Sequence, residues 1–167
     1  DQAHRFRVRV VDAGPRPRFD PAADVALRVS AISDGSAALL GRCGAWRRIE
    51  TQRACPFREM RVWDAASDAR GADALHFDAA EFAVPALGHI AENVLVQDAL
   101  LQVLEDAGIP VEFGRKIRDL GPGTGNRRTL VFEDGDKLGA DLVVAADGAD
   151  SPMRRLARIP VTSWRYP

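Results

Sequence analysis

The chain has 167 residues, 46% hydrophobic and 28% charged, with a formal net charge of −1. That length can bury a real core as one domain with a small subdomain, and the near-neutral balance offers no general attraction to nucleic acid or an anionic membrane. Two cysteines, Cys43 and Cys55, no CxxC and no clustered histidines leave no metal-ligand spacing; no apolar run approaches the length of a membrane span, and nothing resembles a signal peptide. Both thiols are expected in or near the core of a reduced, cytoplasmic protein.

Phe6 to Val11 alternates and then turns apolar, which predicts a strand closed by Asp12. Ala13 to Asp24, rich in proline, reads as a loop. A helix is expected from Ser30 or Ser33, with Ile32, Leu39, Leu40 and Cys43 as its apolar stripe and Gly44 near its end. The charge-dense Arg47-Arg48-Ile49-Glu50 reads as a solvated face, and Trp46 and Trp63 as packing residues. Met60–Trp63 and Ala74–Phe77 are two short strands that pair as a hairpin-like excursion. Asn93 to Ala107 is the clearest helix, with Val96, Leu100, Val103, Leu104 and Ala107 on one face, and Gly108-Ile109-Pro110 stops it. Pro110–Phe113 is a short strand. Lys116–Leu120 and Arg128–Phe132 form an antiparallel pair, and Asp134-Gly135 marks a further turn.

The run Leu142 to Ala145 predicts a strand buried on both faces, ending in Asp147-Gly148. Ser151 before Pro152 is an N-cap followed by proline at the first helical position. Asp147 and Gly148 then lie where a strand's carboxyl end meets a helix start, the usual ligand edge of an open α/β sheet. Asp147 can accept bonds from sugar or ribityl hydroxyls, Gly148 lets a ligand approach the backbone, and Arg154 or Arg155 can pair with a phosphate. The plain alternative is an ordinary capped corner. The order of elements indicates α/β with a mostly parallel sheet and appended β pieces.

Several segments, in order, resemble the class A flavin-dependent aromatic hydroxylases, most closely the ubiquinone-biosynthesis hydroxylases of the UbiH/VisC type. They are Val10-Val11-Asp12-Ala13, Leu27 to Ser33 with Ser36 and Gly44-Ala45-Trp46, Met60 to Asp64, Leu87 to Asn93, and Ala146 to Ser151 with Arg154. The resemblance implies a Rossmann-like FAD/NAD(P)-binding domain with a mostly parallel sheet and small antiparallel β excursions, truncated at both ends. On that reading residues 1–160 are the central part of an FAD-binding domain lacking its first strand and GxGxxG turn. Residues 57–90 form a β excursion toward a substrate domain that starts at 161–167. An internal fragment of this kind is expected to be inactive alone.

By the same resemblance Asp147, Gly148, Ser151 and Arg154 match the DGxxSxxR motif, which contacts the flavin and is implicated in NAD(P)H binding. Asp12 matches the acid that binds the adenosine ribose, where many members carry glutamate. Arg28 matches an arginine of the loop along the cofactor, and Glu92 and Gln97 lie at the start of a helix flanking it. Each has a plain reading too: Asp12 as a turn residue, Arg28 as a solvated arginine, Glu92 and Gln97 as helix surface. No residue is assigned as catalytic. His89 is read as structural, because the hydroxylation chemistry belongs to the cofactor.

The implied activity is FAD-dependent hydroxylation of the aromatic ring of a prenylated ubiquinone precursor, with NAD(P)H as co-substrate and O2 as oxidant. A ubiquinone-biosynthesis complex is an implied partner, and any membrane contact is peripheral, at the inner membrane. Two alternatives stand beside it: a related flavin hydroxylase of a soluble aromatic compound, and a non-catalytic Rossmann-like interaction module.

Overall fold

The computed structural model describes residues 6–165. The chain divides into two compact units, one of Asp1–Val8 with Arg16–Pro110 and one of Arg9–Pro15 with Val111–Pro167. Helices and strands are mixed along it, with one parallel ladder and several antiparallel ones among the described residues. The α/β class is as expected. Parallel pairing among the described residues is confined to one short ladder, described below.

The first unit is built on a three-stranded antiparallel sheet, β2 (Val29–Ser33), β6 (Gly88–Glu92) and β3 (Cys55–Phe57), with β6 central. Helices α1 (Asp34–Arg42), α2 (Trp46–Arg53) and α3 (Asn93–Asp106) supply the rest of its core. That core is Ile32, Ala37, Ala45, Ile49, Ala91, Leu95 and Ala99, backed by Leu40, Trp46, Val96, Leu100 and Val103. Ser33 caps α1: its Oγ accepts the Ser36 N–H, which satisfies one of the orphan donors of the first turn. Gly44, at φ +87°, ends the helix in the left-handed conformation that a Cβ would penalise. A separate hairpin pairs β4 (Glu59–Val62) with β5 (Leu75–Asp78), Met60 opposite Phe77. A 3-10 turn, Ala79–Phe82, follows it.

The second unit pairs β1 (Val10–Val11) in parallel with β7 (Val111–Glu112). Its larger part is a meander of β8 (Ile117–Pro122), β9 (Arg128–Phe132) and β10 (Lys137–Ala140), with Leu120 opposite Leu130. Helix α4 (Pro152–Leu156) closes it. The buried apolar side chains here are Leu130, Phe132 and Met153.

Several expectations change. Leu142 to Ala145 is extended but joins no ladder among the described residues, and Leu142 and Val144 are 79% and 77% exposed rather than buried on both faces. Apolar composition makes a segment fit to be a buried strand; it does not supply the neighbour whose N–H and C=O would pair with it. The third strand of the meander is instead the polar, glycine-containing Lys137–Ala140. Ser30 lies inside β2, so the helix starts from Ser33 alone. The strand expected from Phe6 shortens to Val10–Val11.

Cys43 and Cys55 are exposed, not core: one caps α1 and the other sits on the outer strand β3. Trp63 is half exposed. Arg47 and Glu50 are solvated as expected, but the stretch containing them is helix α2. Its Ile49 is fully buried and its Arg48 reaches Gln102 and Asp106 on α3. The expected start of a substrate domain at 161–167 lies partly outside the described residues.

Candidate functional site

In the second unit, β1 and β7 run in parallel, so their carboxyl ends share one edge, and Asp12 stands there. Its N–H donates to the Glu112 carbonyl at 2.8 Å, which extends the ladder by one bond. Its Oδ1 accepts the Gly14 N–H at 2.7 Å, closing an Asx turn. The other carboxylate oxygen has no protein partner among the described residues and faces a solvated edge.

Asp147, Gly148, Ser151 and Arg154 form one corner. The Ser151 hydroxyl donates to Asp147 Oδ1 at 2.5 Å, and the Met153 N–H donates to Oδ2 at 2.9 Å. Ser151 Oγ in turn accepts the Arg154 N–H at 2.9 Å, so two side chains share the orphan donors of the α4 start. The Ser151 hydroxyl first, then the Met153 N–H, with a smaller contribution from the Arg154 charge, hold the Asp147 carboxyl below its ordinary range. Asp147 is therefore ionised wherever the protein is folded at neutral pH. Gly148 sits at φ +84° with open space where a Cβ would project, so backbone access there is unobstructed. Arg155 donates to the Asp150 carbonyl at 2.8 Å. Arg154 differs: its Nε is buried without a protein acceptor.

The residues predicted in the first unit fall out differently. Arg28 is exposed immediately before β2, and its carbonyl accepts the Asn93 N–H at 3.0 Å. Glu92 is 3% exposed, opposite Val29 in the β2–β6 ladder. Its Oε1 accepts the Ala26 N–H at 2.7 Å and its Oε2 lies 3.4 Å from Arg53 Nη1. Both of its oxygens thus have protein partners. Gln97 is exposed on α3. His89 packs edge-on against Trp46, ring centroids 5.1 Å apart, and its buried Nδ1 has no partner among the described residues.

Sequence reading overlooked two arginines. Arg53 is described further below. Arg115 stacks on the Phe132 ring at 4.2 Å, bonds Asp136 at 3.0 Å and Asp134, and lies 3.6 Å from Glu112. Arg115, Phe132, Glu112 and Asp136, with Arg9, Phe113, Lys137 and Leu138, line an open cavity of about 580 Å³. With Asp134 beside them, three acids face three cations, and the set reads as a polar buckle of the meander. No group of three or more metal-ligand side chains gathers among the described residues, and no helix there is long and apolar enough to cross a membrane.

No protein-family model matches the chain. Over 98% of its length it is 32% identical to 3-demethoxyubiquinol 3-hydroxylase of Escherichia coli, covering 40% of that protein. Over 96% it is 34% identical to the mitochondrial ubiquinone biosynthesis monooxygenase COQ6 of Xenopus tropicalis, covering 35% of it. The chain therefore spans between a third and two fifths of the length of these curated relatives. Among solved structures, p-nitrophenol 4-monooxygenase of Pseudomonas putida superposes with a TM-score of 0.68 at 19% identity, over 90% of this chain and 37% of that one. Klebsiella pneumoniae HpxO, solved with FAD, gives 0.56 at 21% identity, over 77% of this chain and 32% of that one. The fold is that of flavin monooxygenases. The resemblance to ubiquinone-biosynthesis hydroxylases holds along nearly the whole chain.

Proposed function

We propose that the chain is part of an FAD-dependent monooxygenase that hydroxylates an aromatic ring of a prenylated ubiquinone precursor, using NAD(P)H and O2. The observation that carries this reading is identity of 32% and 34%, over nearly the whole chain, to enzymes named for ubiquinone hydroxylation. The likeness to p-nitrophenol 4-monooxygenase and HpxO supports the fold alone.

The residues present fit a dinucleotide. Asp12 offers a carboxylate oxygen at the carboxyl edge of a parallel strand pair, the position that recognises ribose hydroxyls. Gly148 leaves room for close approach. The buried, unpartnered Nε of Arg154 is a donor in want of an acceptor, as a phosphate oxygen would be. Asp147 and Ser151 hold this corner in shape. Arg28 is exposed before β2 and is a candidate on the resemblance alone, whereas Glu92 and Gln97 are weaker candidates, the one engaged internally and the other plainly solvated.

When bound, the flavin would supply the redox chemistry by which two electrons from NAD(P)H reduce O2, one oxygen atom entering the ring and the other leaving as water. The chain's own contribution is to bind and orient: an ionised Asp147 to fix the α4 turn, and arginines for the phosphates. A prenylated substrate further implies peripheral contact with the inner membrane or with a biosynthetic assembly.

Deleting the gene and following quinone intermediates tests the reading. Accumulation of a ring-unhydroxylated prenylated precursor, reversed by the wild-type gene, is the expected result. Unchanged ubiquinone with no accumulating precursor contradicts it.

A further inference from the structure

The geometry points to Arg53 as a positioning residue that holds the loop from Phe19 to Arg28, and so sets where Arg28 is presented. Arg53 ends α2, and its guanidinium meets that loop at several points. One nitrogen, Nη2, donates to the carbonyls of Asp20 at 3.2 Å, Pro21 at 2.7 Å and Ala23 at 2.7 Å. The other, Nη1, faces Glu92 Oε2 at 3.4 Å. The guanidinium also lies over the Phe19 ring, 5.1 Å from its centroid. Glu92 completes the clasp from β6, its Oε1 taking the Ala26 N–H at 2.7 Å.

The loop needs such an anchor. Between Phe19 and Arg28 it contains no helix or strand, and its side chains Val25 and Leu27 are 66% and 101% exposed, so burial does little to hold it. What fixes it is polar: one planar cation with donors fanned toward three carbonyls, and a buried carboxylate that neutralises it. A lysine ammonium can meet those carbonyls, but it has no second nitrogen for Glu92 and no planar face for the Phe19 ring. Glu92 is too deeply buried to be left unpaired without cost, so Arg53 and Glu92 require each other. The clasp also shapes the adjoining groove of about 400 Å³, whose apolar walls include Val25, Val29, Pro56 and Ile90. A carboxylate that looked like a cofactor ligand in the sequence is, in the structure, the partner of the loop's anchor.

The functional half of this inference, that Arg53 acts on the cofactor through Arg28, rests on the flavin reading above. The structural half does not. Hydrogen exchange by mass spectrometry on the chain separates them. R53A is expected to speed exchange in peptides covering residues 19–28 by about tenfold, with β6 and α3 unchanged. R53K gives a smaller increase, and so does E92Q, whose amide oxygen still accepts the Ala26 N–H. Unchanged exchange in 19–28, or equal loosening across the whole unit, overturns the clasp.

FAD titration of the full-length protein tests the functional half. R53A is expected to weaken binding several-fold, and R53A with R28A to bind no more weakly than R28A alone. Additive losses overturn action through Arg28. If wild type takes up no FAD while R53A still loosens the loop, the clasp stands and the flavin reading falls.

Discussion

Between the two units the division of labour differs. The first buries a continuous apolar cluster between three helices and a sheet, from Ile32 through Ile49 to Ala99. The second buries Leu130, Phe132 and Met153, and shapes its candidate corner with polar contacts: Ser151 and Met153 on Asp147, and acids around Arg115. A fold held by burial tolerates solvent change and reacts to lost volume. A corner held by hydrogen bonds to a carboxylate reacts to protons. The residues most suited to a cofactor sit where shape depends on polar contacts.

The comparison can be broken most forcefully at Phe132, the largest fully buried side chain of the second unit. Phe132→Ala is expected to cost about 3–5 kcal/mol and to free Arg115 from its stacking partner. Hydrogen exchange resolved by unit is expected to show the loss confined to residues 9–15 and 111–165, and equal loosening of the first unit breaks the comparison. Gly88→Ala probes the first unit in return. A Cβ there would stand 2.5 Å from the Ile32 carbonyl oxygen, so overpacking of about 1–3 kcal/mol follows, read as a lower melting temperature.

At the corner, Ser151→Ala removes the cap of α4 and costs about 1 kcal/mol. Asp147 sharpens the contrast through pH. Its carboxyl is depressed in the folded state, so its contribution is full above the ordinary carboxylate range and is lost as pH falls through the folded value. Acid below that range should loosen α4 before it disturbs the first unit, and Asp147→Asn should abolish this acid step in exchange measurements on residues 147–157. The smallest effect is expected from Asp106→Asn. Its pair with Arg48 is exposed on both sides, and the change should stay under about 1 kcal/mol.

The elements legible from sequence were those whose residues repeat a pattern or carry a cap. α3 was found from its apolar face, although the deepest positions proved to be Leu95 and Ala99, one step round the helix from Val96 and Leu100. Ser151-Pro152 and Ser33 announced their helices through capping chemistry that is local. Pairing is not local. Leu142 to Ala145 has strand composition without a ladder, and Lys137–Ala140 has a ladder without strand composition. Helix α2 was hidden because its arginines and glutamate looked solvated, while Ile49 is its one fully buried residue and Trp46 packs beside it.

The candidate site divides along the same line. The Asp147–Ser151 corner was readable, since its contacts lie within a few residues of one another. The Arg53–Glu92 clasp was not, because its partners are separated by 39 positions and no periodicity links them. Glu92 illustrates the consequence. Its place at the start of a cofactor-flanking helix came from resemblance alone, and its burial and its partner Arg53 appear only in the structure.

The central claim is that this chain helps to hold FAD. The most direct measurement is the visible absorbance of the full-length protein as purified, followed by FAD titration of the apoprotein. The account predicts a flavin spectrum and stoichiometric rebinding, weakened by Arg154→Ala. A colourless full-length protein that cannot be reconstituted with FAD would contradict it.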